Sequence, residues 1–95
     1  MNASELFDKY ISIAEKVLVL SRVDEEKAQK ELEILKKALS EPQVVGENEQ
    51  ELFDAAVYNA LATINTAPEQ KKINGQLLEA VTDAKAEISA IKEFL

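Results

Sequence analysis

The chain has 95 residues, 31% of them charged, a formal net charge of −7, and neither cysteine nor histidine. That inventory excludes disulfides, thiol nucleophiles, thiolate or imidazole metal sites and the histidine proton shuttle. It suits one domain, and with 46% apolar but only 5% aromatic residues, two glycines and two prolines, the core has to come from Leu, Ile, Val and Ala on long helices rather than from a sheet that turns every few residues.

The spacing predicts a first helix over Ala3–Leu20, where Leu6, Tyr10, Ile13, Val17 and Leu20 share a face and Phe7, Ile11, Ala14 and Leu18 widen it. An apolar arc that broad needs more than one neighbour. Tyr10 is expected in the core with its hydroxyl at the rim. Asp24 is a good N-cap for a second helix running to Ser40, with Glu25 and Glu26 placed to suit the helix dipole. Its seam is Ala28, Leu32, Leu35 and Leu39, and Glu26 with Lys30 and Glu33 with Lys37 make acid-first surface pairs. The stretch Glu41-Pro42-Gln43-Val44-Val45-Gly46 reads as a connection, because Pro42 biases Glu41 out of helical geometry and Gly46 permits a turn.

A third helix is predicted over Glu49–Ile64, with Phe53, Val57, Ala60 and Ile64 facing inward. Thr66-Ala67-Pro68-Glu69 has the form of a fresh start, with Thr66 capping and Glu69 completing a capping box. A fourth helix then spans 67–94, breakable at Asn74-Gly75, on a seam of Leu77, Val81, Ala84, Ile88, Ile91 and Leu95. The segment 2–8 recurs at 48–54 with five identities in seven at an offset of 46. Extending that offset pairs Ala14 with Ala60, Leu32 with Leu78, Glu33 with Glu79 and Ala38 with Ala84. A duplicated hairpin and two unrelated helices with the same start signal both account for it. Either origin leads to an all-α, antiparallel four-helix bundle in a single domain, which the repeat would make two pseudo-symmetric hairpins, 1–46 and 47–95.

Function has to be sought among binding roles. Acidic residues are plentiful, but Asp24, Glu25 and Glu26, like Glu47, Glu49 and Glu51, fall at helix starts, where capping and the dipole explain them. No catalytic, cofactor-binding or metal-binding residue is therefore expected, and no enzyme. Glu15 and Lys16 break the most apolar stretch, and the sequence opens without a basic, apolar leader; no membrane insertion and a cytoplasmic setting are expected. No basic stripe is present for direct nucleic-acid binding. From Ala55 to Pro68 there is no charged residue at all, and Ala55, Tyr58, Asn59, Ala62 and Thr66 project opposite the inward stripe. These residues form either a face for a protein partner, a second copy included, or a face covered by the first helix or by the connection, and Val44 and Val45 either cap the end of the bundle or form an exposed tip for a partner. The leading expectation is an acidic protein-interaction module. The alternatives are a small inhibitor or immunity-type protein, phage- or bacteriocin-associated, which the bundle matches in size and architecture alone, and an acidic mimic of nucleic acid.

Overall fold

The computed structural model describes residues 2–66 and 75–95. Among them are four helices and no strand: α1 (Ala3–Leu20), α2 (Glu25–Ser40), α3 (Gln50–Thr66) and α4 (Gly75–Lys92). Asn2 caps α1, its Oδ1 accepting the Glu5 amide at 2.8 Å, and Asp24 caps α2 by accepting the Lys27 amide at 3.2 Å. Between them α1 closes on the Leu20 carbonyl, which takes the amides of both Val23 and Asp24. One residue thus ends the turn and starts the next helix.

The helices alternate in direction around a bundle with extents of 39 × 21 × 21 Å. Lys92 pairs with Asp8 and Lys85 with Glu15, the latter at 3.2 Å, so each step up α1 is a step down α4. Lys16 reaches Glu31 at 3.9 Å across α1 and α2. Neighbours run α1–α2–α3–α4 and back to α1, with α2 and α3 meeting least extensively. Helices α1 and α3 lie on the diagonal.

Burial follows the predicted seams, except that Ile13, Leu20 and Ile91 are only half-buried. Ala28, Leu32, Leu35 and Leu39 of α2 and Leu77, Val81, Ala84 and Ile88 of α4 are buried, as are Leu6, Phe7, Tyr10, Ala14 and Val17 of α1. On α3 the buried residues are Phe53, Ala56, Ala60 and Ile64, while Val57 is half-buried against the core. Burying one leucine-sized side chain contributes about 1.5–3 kcal/mol, against which the surface ion pairs, at roughly 0–1 kcal/mol each, are minor.

Several expectations are corrected. Helix α4 ends at Lys92, short of residue 94, because the amides of Phe94 and Leu95 bond three residues back, to Ile91 and Lys92, tightening the last turn; Leu95 leaves the seam and is exposed. Glu33 meets Lys36, at 4.0 Å, rather than Lys37. Thr66 ends α3 and its hydroxyl donates back to the Thr63 carbonyl, while Glu69, Pro68 and Asn74 lie outside the described residues. Gly46 has no positive φ, so its turn does not depend on glycine.

Burial matches at the offset of 46 between α1 and α3 but not between α2 and α4. Phe7, Tyr10 and Ala14 match Phe53, Ala56 and Ala60 at the offset of 46, and all six are buried. The buried seams of α2 and α4 instead correspond at an offset of 49, Ala28 with Leu77 through Leu39 with Ile88. In sequence, Thr66 and Gly75 are further apart than Leu20 and Glu25. Leu78 is therefore half-buried where Leu32 is buried. Asn48 does not repeat the cap of Asn2 either. It lies in a turn closed by the Glu49 amide on the Gly46 carbonyl, and the first α3 bond runs from the Phe53 amide to the Glu49 carbonyl.

Candidate protein-binding face

The side chains that distinguish α3 are its uncharged outer ones. In the folded chain Ala55, Tyr58, Asn59 and Thr66 are exposed and Ala62 is half-buried. Neither α1 nor the connection covers this face. Helix α1 meets α3 through the bundle interior, where the Phe7 and Phe53 rings stack at 5.2 Å and Tyr10 lies 6.2 Å from Phe53. Of the two valines in the connection, Val45 packs on the core and Val44 is 90% exposed. The seven residues therefore do not form one surface, since Val45 is structural.

At about 1.5 Å of rise per residue, the face from Ala55 to Thr66 is roughly 17 Å long. Its small side chains would allow another backbone close, and Tyr58, 74% exposed, offers a rigid amphipathic ring of the kind that anchors interfaces. Thr63 fixes the α4 side: its hydroxyl lies 2.8 Å from the Asn59 carbonyl oxygen and 3.1 Å from the Glu87 carboxylate.

On the α2 side a groove of about 300 Å³ opens between the end of α2 and the middle of α3. Its floor is buried Leu39 and Phe53 with half-buried Val57 and Leu61, and its rim includes exposed Glu41, Asp54 and Tyr58. Gln50 shapes this end of the molecule. Its Oε1 accepts the Val45 amide at 2.9 Å, and its Nε2 donates to the Gln43 carbonyl at 3.0 Å and to Asp54 at 2.9 Å. One side chain stitches the connection to α3. Nothing in the local pattern around Gln50 signals this, because the partners come from the path of the loop.

Tyr10 departs from expectation in one respect. Its ring is in the core, but the hydroxyl is enclosed too, with no hydrogen-bond partner. Burial, and then the nearby charge of Glu41, push its pKa up. Such a phenol stays neutral at ordinary pH. Among the described residues, no three acidic side chains converge as a metal site would require, and no helix is long and apolar enough to cross a membrane. Compared with family models, curated proteins and solved structures, the chain matches none.

Proposed function

We propose that this bundle is a non-catalytic protein-interaction module that engages a protein partner through the outer face of α3. The observation that carries the reading is the exposure of an uncharged helical face in a chain that is 31% charged. A charged residue at an interface core must be desolvated, which costs several kcal/mol unless it is paired; a face with none avoids that cost. Exposed Val23, at the first turn, stands between Arg22 and Asp24 and is ordinary for a surface.

Photo-crosslinking tests this while the partner is still unidentified. A photoreactive amino acid in place of Asn59, in the cell that makes the protein, should yield a discrete adduct of defined mass, with a second copy giving a doubled one. The same group at exposed Lys30 on α2 should not. Absence of an Asn59 adduct, or equal labelling from Lys30, would refute α3 as the binding face.

A further inference from the structure

The groove beside Tyr58 restricts what the partner can be, and we infer that it receives one apolar side chain of leucine size from the partner protein, flanked in that partner's sequence by lysine or arginine. The inference rests on the interaction role proposed for α3 and specifies its chemistry. Three features of the groove support it.

The first is size. At about 300 Å³ the groove sits at the bottom of the range for small-molecule sites, and its exposed rim suits a side chain from a surface better than an enclosed ligand. The second is its floor. Leu39, Phe53, Val57 and Leu61 supply apolar walls, left accessible because α2 and α3 meet less extensively than the other neighbouring helices.

Charge is the third. Glu41 and Asp54 stand on the rim, and among the described residues no lysine or arginine lines the groove. Asp54 takes one hydrogen bond from Gln50, which leaves a carboxylate with further acceptor capacity. An apolar anchor with an adjacent cation satisfies floor and rim together. An anchor next to an acidic residue would meet like charge, which disfavours it. A second copy of a chain with net charge −7 would bring mostly the wrong sign, so the occupant is a different, locally basic protein.

The test is an amide chemical-shift titration of the ¹⁵N-labelled chain with acetyl-Lys-Leu-Arg-amide, and separately with acetyl-Glu-Leu-Glu-amide. The basic peptide should shift residues 39–43 and 53–61 and bind several-fold more tightly than the acidic one. The double variant Glu41→Gln with Asp54→Asn keeps an acceptor for Gln50 and should remove that preference. Absent shifts in those segments, equal response to both peptides, or an unchanged preference in the double variant would each overturn the inference. Crosslinking from Asn59 does not use the groove, so an Asn59 adduct without a peptide response removes the groove proposal and leaves the α3 face standing.

Discussion

Phe7 and Phe53 stack across the diagonal of the bundle, ring centroids 5.2 Å apart and planes 22° from parallel. They occupy the same place in two identical tripeptides, Leu6-Phe7-Asp8 and Leu52-Phe53-Asp54. Their contact, with that of Tyr10 on Phe53, joins α1 to α3 across the interior of the bundle.

Truncation should show this. Phe53→Ala should cost about 3–5 kcal/mol, in the range for buried aromatic residues, a large part of the roughly 5–15 kcal/mol available to a domain. In a double-mutant cycle with Phe7→Leu and Phe53→Leu, chemical denaturation should give a coupling of about 0.5–1.5 kcal/mol. Additive effects would mean that the rings are neighbours without being partners.

The Tyr10 hydroxyl, buried without a partner, should be a liability to stability. Removing an unsatisfied buried polar group relieves a desolvation penalty of about 1–3 kcal/mol, so Tyr10→Phe should be neutral or stabilising, by up to about that amount. A thermal or urea melt decides it. Destabilisation beyond about 1 kcal/mol would require a hydrogen bond to that oxygen.

The same residue predicts an alkaline effect. Its folded pKa is raised, so between the ordinary tyrosine value near 10 and the folded one the unfolded chain gives up a proton that the folded chain keeps. Stability from this group is therefore complete below about pH 10 and declines as pH rises towards the folded pKa. Tyr10→Phe should flatten the decline seen in urea unfolding between about pH 9 and 11. Parallel curves for the two proteins would contradict the burial of the phenol.

Gln50 ties down the connection with three side-chain hydrogen bonds. Gln50→Ala should cost about 1–2 kcal/mol, given a net of about 0.5–1.5 for each bond and the partial exposure of this one cluster. It should also speed hydrogen exchange at the Val45 amide by an order of magnitude or more, with the amides in the middle of α1 unchanged.

Much of this molecule can be read from spacing alone, for a physical reason. Apolar recurrence reports azimuth around a helix: the seam of α2 matches its buried residues, and that of α4 differs in Ala80, which is buried as well, in Ile91, which is half-buried, and in Leu95, which the tight last turn carries away. Azimuth says little of depth. The Tyr10 hydroxyl is enclosed together with its ring, which no wheel of α1 alone can show. Alanine is equally ambiguous: Ala56 is buried and Ala55 exposed, and hydrophobicity does not separate them. The uncharged run of α3 was legible as a composition break, whereas its exposure depended on α1 lying diagonally rather than alongside. The groove was not legible, since it arises from the lighter contact between α2 and α3 and from a loop held by Gln50.

The most direct test of α3 as the binding face is the affinity of the crosslinked partner, once purified, for the wild-type chain and for Asn59→Arg, Ala62→Arg and Lys30→Glu, each first checked for unchanged helicity by circular dichroism. Both arginine variants should bind at least tenfold more weakly, a loss of about 1.4 kcal/mol or more, and Lys30→Glu should bind like the wild type. Wild-type affinity in Asn59→Arg, with its fold intact, would place the interface elsewhere.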